Sequence, residues 1–207
     1  MPELVRGDDG RRRCSWGQST PEYVRYHDKE WGRPITDDDG LYERLVLEGF
    51  QSGLSWLTIL RKREAFRDAF AGFEIERVAA FGARDVKRLL ANAGIVRNRQ
   101  KIVAAIENAK AARALAGDGG SLSGIVWSHR PRRSPAPRSI DDLPAITEES
   151  RALARDLKGN GFRFVGPTTA YALMQACGLV NDHVVGCAVR GQVSKEQREV
   201  SHMLRGR

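Results

Sequence analysis

Residues 161–170 read GFRFVGPTTA, and this stretch carries the strongest local signal for the fold. Gly166 can make a tight turn, and Pro167 favours the first position of the helix that follows. Backbone amides exposed at such a junction can bind phosphate groups. The same residues also suit an ordinary connection between two helices, so the local pattern leaves both interpretations open.

Helical patterns extend over most of the remaining chain. Thr20 followed by Pro21 predicts a helix start. The acidic run 37–39 favours another start, because the helix macrodipole attracts negative charge. The predicted fold class is all-α, with no internal repeat and no strand pair. The expected helices cover about 20–31, a segment from 37 through Glu48, Leu57 to Phe70, 74–81, 85–92, 98–116, and segments that begin near Thr147 and after Gly166.

The organisation of the chain follows from where this pattern weakens. Residues 117–140 contain GDGGSLSG and the proline-rich RPRRSPAPRS, which are typical of a surface or disordered loop. We expect a flexible N-terminal extension at 1–13, one domain at 14–190 and a loosely held polar tail at 191–207.

Composition narrows the class of protein. The chain has 207 residues, with 34 Lys and Arg against 26 Asp and Glu, a net charge of +8 and an isoelectric point near 9.8. This balance favours a polyanionic partner such as nucleic acid, although each basic cluster also suits a solvated face. No apolar run is long enough to cross a membrane. The N-terminus lacks the apolar centre of a signal peptide, so we expect a cytoplasmic protein.

Two pairs of potential metal ligands lie at opposite ends of the chain. Cys14 and His27 form a Cys-x12-His pair, and His183 and Cys187 form a His-x3-Cys pair. Together they could form a closed tetrahedral site of the structural kind. Spacing alone also allows four unrelated residues. Cys177, among apolar neighbours, is predicted to be an ordinary core cysteine.

Aromatic residues and one carboxylate form a third pattern. Aromatic faces can enclose a flat base, and Glu48 lies in the apolar run LVLEGF, where a carboxylate needs a partner or a function. Core aromatics and a structural glutamate remain the alternative interpretation. The set comprises Trp16, Tyr26, Trp31, Glu48 and Trp56.

Four runs of sequence, in order, resemble the 3-methyladenine DNA glycosylase I family of base-excision repair enzymes. Their co-occurrence is specific, and with the ligand pairs the resemblance covers about residues 14–187. The runs are YHDKEWGRP, LEGFQSGLSWLTILRKREAFRDAF, AGIVRNRQKI and GFRFVGPTTAYALMQACGLVNDHVVGC.

The resemblance implies a helix-hairpin-helix fold and a monomeric enzyme that removes 3-methyladenine from double-stranded alkylated DNA. The glycosylase domain would span 14–190, its two ends joined by a structural zinc ion (Zn2+). Glu48 would be the catalytic residue. The matching zinc ligands are Cys14, His27, His183 and Cys187; the matching base-binding residues are Trp16, Tyr26, Trp31, Glu48 and Trp56; the matching DNA-binding residues are Gly161, Val165, Gly166, Thr168 and Thr169.

Comparison with the wider superfamily implies a monofunctional enzyme. Bifunctional members carry a Schiff-base lysine where VGPTTA has Thr168, so we expect no lyase activity. Many members place a catalytic aspartate where NDHV has Asn181, with Asp182 displaced by one position. A strong general base would then be missing, which fits a leaving base that already carries positive charge.

Two other functions remain open at this point. A non-catalytic, zinc-stabilised DNA-binding module would share the charge, the hairpin and the ligand pairs. It would not need a buried carboxylate among aromatic rings. A glycosylase for a different alkylated purine is the second alternative, and comparison of excised bases would separate it.

Overall fold

The computed structural model describes residues 3–205 and is built mostly from α-helices. Within these residues, no helix is long and apolar enough to cross a membrane. The elements are β1 (Leu4–Arg6), β2 (Arg12–Cys14), α1 (Pro21–Lys29), α2 (Asp38–Gln51), α3 (Trp56–Ala69), α4 (Ile75–Ala79), α5 (Ala83–Ala91), α6 (Arg99–Gly117), α7 (Leu122–Ser128), α8 (Glu148–Gly159), α9 (Pro167–Ala176) and α10 (Arg190–Arg205).

Helix starts follow local capping. The Thr20 hydroxyl accepts a hydrogen bond from the Tyr23 amide at 3.3 Å, and Pro21 occupies the first turn of α1. The Asp37 carboxylate accepts from the Gly40 amide at 2.7 Å at the start of α2. Both starts are confirmed, because a side-chain oxygen satisfies an amide that the helix itself leaves unpaired.

Helix α2 lies at the centre of the core and contacts α3, α6, α7 and α9. Leu41, Tyr42, Leu45 and Leu47 are each no more than 2% exposed. The Tyr42 hydroxyl donates to the Ala105 carbonyl on α6 at 2.8 Å, which removes an unpaired polar group from the interior. A helix surrounded in this way can hold Glu48 inside the protein.

The expectation of no strand pair is wrong. Strands β1 and β2 form an antiparallel hairpin in which Leu4 pairs with Cys14 and Arg6 with Arg12. The segment expected to be a flexible extension therefore has a defined fold from Leu4 onward. The strand pattern was missed because each strand has only three residues. In addition, Arg13 is buried, although a charged residue is expected to be exposed.

The expectation that 117–140 is only a loop is also wrong, because α7 lies within it. Leu122 and Trp127 are buried, and the Trp127 indole donates to the Ile35 carbonyl at 2.8 Å. The Asp38 carboxylate accepts from the amides of Leu122 and Ser123 at 3.1 and 2.7 Å. A seven-residue helix between glycine-rich and proline-rich runs is too short to show helical periodicity.

The tail was expected to be loosely held, but up to Arg205 it forms α10 and packs on the core, and residues 206–207 lie outside the described residues. Val193 is fully buried, and the buried Gln197 amide donates to the carbonyls of Gly32 and Val180 at 2.8 and 2.9 Å. The sequence of this helix is polar because few of its residues face the protein. Cys177 is buried without a disulfide, as expected.

Candidate active site and metal centre

The four predicted ligands meet in one buried cluster, called here the Cys/His cluster. It brings together Cys14, His27, His183 and Cys187, whose ligand atoms all lie within 4.8 Å of one another. Cys14 lies at the end of β2 and His27 on α1, whereas His183 and Cys187 lie in the turn between α9 and α10. The cluster therefore connects the two ends of the chain.

The separations within the Cys/His cluster suit a tetrahedral ion. His27 Nε2 and His183 Nδ1 are 3.2 Å apart, and Cys187 Sγ lies 3.5 and 3.7 Å from these two atoms. Cys14 Sγ lies 3.9 Å from His183 Nδ1. An ion bound at about 2.3 Å to sulfur and about 2.05 Å to nitrogen needs donors about 3.3–3.8 Å apart. The residues therefore fit a four-coordinate metal.

Outer contacts orient both imidazole rings toward the cluster centre. With Nε2 of His27 facing the cluster, its Nδ1 donates to Asp28 Oδ1 at 2.8 Å. With Nδ1 of His183 facing the cluster, its Nε2 donates to the Trp31 carbonyl at 3.2 Å. Arg13 holds Asp28 through Nε at 2.9 Å and Nη2 at 2.8 Å. Such partners fix the ring orientation of metal-binding histidines.

A cavity of about 240 Å³ lies next to the Cys/His cluster and is called here the base cavity. It is smaller than the roughly 300–1,000 Å³ of pockets for drug-sized ligands, so its occupant must be small. All five residues predicted to bind a base line it: Trp16, Tyr26, Trp31, Glu48 and Trp56.

Five further lining residues were not predicted. Tyr23 and Gln51 lie one turn from Tyr26 and Glu48, and this helical spacing could have indicated them. The other three come from distant parts of the chain, and only the tertiary fold brings them to the cavity. These three are Leu143, Ala172 and Gln175.

The aromatic walls of the base cavity are in contact with the Cys/His cluster. Trp16 and Trp31 meet edge to face, with ring centroids 4.8 Å apart. Trp31 packs against His183 at 4.7 Å, and Trp16 packs against His27 at 5.3 Å. The positions of these two tryptophans therefore depend on the two histidines.

The carboxyl of Glu48 is buried in the cavity wall, with 7% of the residue exposed. Burial raises the pKa of this carboxyl to about 8, despite the opposing charge of Arg44. Within residues 3–205 the Glu48 carboxyl makes no hydrogen bond or ion pair. A buried carboxyl without a protein partner is available to a ligand.

Arg44 is committed to a different carboxylate. Its Nη2 donates to Glu30 Oε2 at 2.9 Å, and Arg63 binds the same carboxylate through Nη1 at 2.5 Å and Nη2 at 2.9 Å. Burial opposes ionisation of Glu30, but the hydrogen bonds from Arg63 and Arg44 lower its pKa to about 2. The pairing leaves Glu48 outside this network.

The predicted DNA-binding residues form the connection between α8 and α9, called here the hairpin. Gly161 and Phe164 have positive φ angles of 87° and 56°, and Thr168 is exposed in the first turn of α9. Gly166 and Thr169 are partly exposed. The Val165 side chain is 2% exposed, so it packs into the core and faces away from solvent.

Asn108 on α6 fixes the hairpin. Its Oδ1 accepts from the Arg163 amide at 2.7 Å, and its Nδ2 donates to the Arg163 carbonyl at 3.1 Å. This reciprocal pair holds the backbone just before Phe164. Sequence reasoning missed Asn108, because a polar residue inside a long helix gives no local sign of such a distant partner.

Thr168 and Asn181 are the two positions that argue against lyase activity and against a strong general base. Thr168 supplies a hydroxyl where a lyase would need an amine. Asn181 donates to the Arg190 carbonyl at 3.1 Å and to Ser194 Oγ at 2.8 Å. Asp182 accepts from the Tyr171 hydroxyl at 2.7 Å and from Gln175 Nε2 at 2.8 Å, and it does not line the base cavity.

A small aromatic cavity with a buried carboxyl, carried by a basic helical protein, defines a class of enzymes that bind a single base taken out of nucleic acid. The family model described as methyladenine glycosylase matches residues 16–190, and the chain belongs to this family. The resemblance seen in the sequence is confirmed.

Characterised relatives cover nearly the same span. The chain is 48% identical to DNA-3-methyladenine glycosylase 1 of Escherichia coli strain K12, over 84% of this chain and 95% of that protein. It is 43% identical to DNA-3-methyladenine glycosylase of Haemophilus influenzae strain KW20, over 84% of this chain and 96% of that protein.

Solved structures are similar in fold. A crystal structure of 3-methyladenine DNA glycosylase I has a TM-score of 0.82 and 49% identity, and covers 85% of this chain and 98% of that one. The Staphylococcus aureus enzyme, described in terms of its recognition of 3-methyladenine, has a TM-score of 0.81 and 36% identity, with 86% of this chain and 96% of that one covered.

Proposed function

We propose that this protein is a DNA glycosylase that hydrolyses the N-glycosidic bond of 3-methyladenine in alkylated DNA. The observation that carries the proposal is the unpaired Glu48 carboxyl inside a cavity walled by aromatic rings. Family membership and the two relatives described as DNA-3-methyladenine glycosylases support it.

Charge complementarity explains how the base cavity would select its substrate. Methylation at N3 gives the adenine of the lesion a positive charge. The faces of Trp and Tyr rings attract such a cation, and Glu48 can accept hydrogen bonds from the base edge. A cation beside a carboxyl lowers its pKa, so Glu48 ionises when the lesion enters. A neutral adenine offers no such gain.

The chemical step needs little from a strong acid or base. The C–N bond to the base breaks and its electron pair neutralises the positive charge on the adenine, while water adds its oxygen to the sugar carbon and releases one proton to the solvent. Glu48 stabilises the cationic base as the flipped nucleotide is held. Without an amine at Thr168, no Schiff base forms and the abasic strand stays uncut.

We assign DNA-backbone binding to α8, the hairpin and α9, as a helix-hairpin-helix unit on duplex DNA. Amides in the first turn of α9 lack partners within their helix and point toward an approaching phosphate. Gly161 in the hairpin and Thr168 in the first turn of α9 are both exposed. We expect a cytoplasmic protein that is a monomer, and a sedimentation measurement with and without DNA would test the oligomeric state.

We further propose that the Cys/His cluster binds one structural zinc ion. The support is the donor set, the separations that fit a tetrahedron, and the outer contacts of both histidines. Four protein ligands leave no open coordination position for chemistry. The cluster would hold Trp16 and Trp31 in place and leave the reaction to the cavity.

The experiment that tests the proposed reaction is release of bases from methylated duplex DNA. We expect 3-methyladenine in preference to 7-methylguanine, no release of hypoxanthine from a matched deaminated duplex, and abasic strands left uncut. Glu48→Gln is expected to reduce excision about 100-fold or more while its melting profile shows a folded protein. Wild-type release no greater than that of Glu48→Gln would refute the assignment.

Quenching of tryptophan fluorescence by free 3-methyladenine separates the glycosylase from a non-catalytic DNA-binding module. A glycosylase with this cavity should respond, because Trp16, Trp31 and Trp56 line it. A protein that binds only the DNA backbone should not.

A further inference from the structure

The segment 130–138, RPRRSPAPR, carries four arginines and no acidic residue. Arg132, Arg133 and Arg138 are exposed. The Val185 amide donates to the Pro137 carbonyl at 2.8 Å, which anchors the later end of the segment. Exposed arginines on a segment anchored in this way can bind an anionic partner.

This segment borders two adjoining surface hollows. A hollow of about 500 Å³ is lined by Arg133, Arg138 and Leu143, and Leu143 also lines the base cavity. A second hollow of about 710 Å³ shares Arg133 with the first and adds Arg132 and Arg155. We call the two together the arginine groove. Leu143 is therefore a wall that the arginine groove and the base cavity share.

Two of the four acidic residues that line the arginine groove, Asp142 and Asp182, accept hydrogen bonds. Asp142 Oδ2 accepts from the amides of Arg138 and Ser139 at 2.8 and 2.9 Å. Asp182 accepts from Tyr171 and Gln175. Glu148 and Glu149 also line the groove, at the start of α8.

The arginines of the groove are less engaged than its acids. Within residues 3–205, the side chains of Arg132 and Arg133 make no ion pair or hydrogen bond. Unpaired guanidinium groups beside a base-binding cavity match the phosphates that flank a flipped nucleotide.

We propose that the arginine groove binds the DNA backbone next to the lesion, with Arg132, Arg133 and Arg138 contacting phosphates. This inference rests on the proposed glycosylase function. It adds a second backbone contact, separate from the hairpin, that comes from a segment with no part in base recognition. Binding there is independent of base sequence, since phosphate contacts position a protein without specifying bases.

The test is the salt dependence of binding to a duplex that contains a stable abasic-site analogue. Each phosphate contact contributes about 0.9 to the slope of log K against log salt, so Arg132→Gln/Arg133→Gln/Arg138→Gln should reduce its magnitude by about 2 to 3. The matched control is Arg77→Gln/Arg84→Gln/Lys87→Gln on α4 and α5, which removes the same charge from residues that do not line the groove. Its slope should stay at the wild-type value.

Each outcome has a distinct meaning. DNA binding by the arginine groove is contradicted if the groove variant keeps the wild-type slope, or if the control loses as much slope as the groove variant. This holds even if wild-type protein excises 3-methyladenine. Absence of excision by wild-type protein refutes the function instead. Melting temperature and the affinity for free 3-methyladenine report whether the variant is folded. If it is not, Arg133→Gln alone should reduce the slope by about 0.9.

Discussion

Arg44 and Glu48 lie one turn apart on α2, yet Arg44 binds Glu30 and leaves the Glu48 carboxyl without a hydrogen bond. Both side chains are buried. The protein therefore pairs one carboxylate with two arginines and keeps the other one without a hydrogen-bond partner. Because unpaired buried groups cost stability, this arrangement indicates a function for Glu48 beyond folding.

The raised pKa of Glu48 predicts a pH dependence of stability. Its folded-state pKa of about 8 exceeds the ordinary value of 4.5, so the folded protein holds an extra proton between these pH values. The stability from protonated Glu48 is complete below about pH 4.5 and is lost as pH rises through about 8. Glu48→Gln does not incur this loss.

We therefore expect the free energy of unfolding of Glu48→Gln, relative to wild type, to rise between pH 5 and pH 8 by on the order of a few kcal/mol. Urea unfolding at several pH values measures it. Glu76→Gln, at an exposed position on α4, is the matched control and should follow wild type. A pH-independent difference for Glu48→Gln would contradict the prediction.

Asp28→Asn should weaken metal binding at the Cys/His cluster by about 10- to 100-fold, because Asp28 orients His27. Competition with a chromophoric chelator measures the affinity. Asp9→Asn is a matched control, since Asp9 binds Arg13 at 2.8 Å but does not touch His27. Equal effects of the two substitutions would show that Asp28 has no special role.

Cys187→Ala should reduce bound metal from about one ion per chain and lower the melting temperature, because the binding energy of a structural ion contributes to folding. Cys177→Ala removes another buried thiol, one outside the cluster, and this variant should keep its metal. Elemental analysis of the purified proteins gives the stoichiometry. A full complement of metal in Cys187→Ala would exclude it as a ligand.

Asn108→Ala should weaken DNA binding while leaving the affinity for free 3-methyladenine unchanged. It removes both hydrogen bonds to Arg163, at a cost of about 1–3 kcal/mol, and lets the hairpin backbone shift. Gln192→Ala deletes an exposed side-chain amide that bonds within its own helix, α10, at Glu196, and serves as the control. Fluorescence anisotropy with labelled duplex measures both. Normal DNA affinity in Asn108→Ala would show that DNA binding by the hairpin does not depend on the contact between Asn108 and Arg163.

The sequence was sufficient where local chemistry decides the structure. Capping by Thr20 and Asp37 sets helix starts within one or two residues. The lining of the base cavity was predicted through the family resemblance, and the structure places all five predicted residues there. The four ligand residues do converge, whereas the zinc ion itself stays a prediction.

The sequence was insufficient where distant elements meet. Leu143 and Gln175 reach the base cavity from different elements, and neither belongs to a recognisable local pattern. Arg13 looked like part of a solvated basic run, but Asp9 and Asp28 compensate its buried charge. Helix α7 was missed because seven residues are too few to show helical periodicity, and the partners that stabilise it, Asp38 and Ile35, are distant in sequence.

The pairing of strands β1 and β2 has a practical consequence for shortened versions of the protein. The family match begins at residue 16, which would make the preceding residues look dispensable. Deletion up to Cys14 would remove Arg13, the partner that fixes Asp28, and would also remove the strand that pairs with Cys14. Because the tryptophans of the base cavity pack on the histidines, a trimmed protein should bind its substrate less well even though every cavity residue is retained.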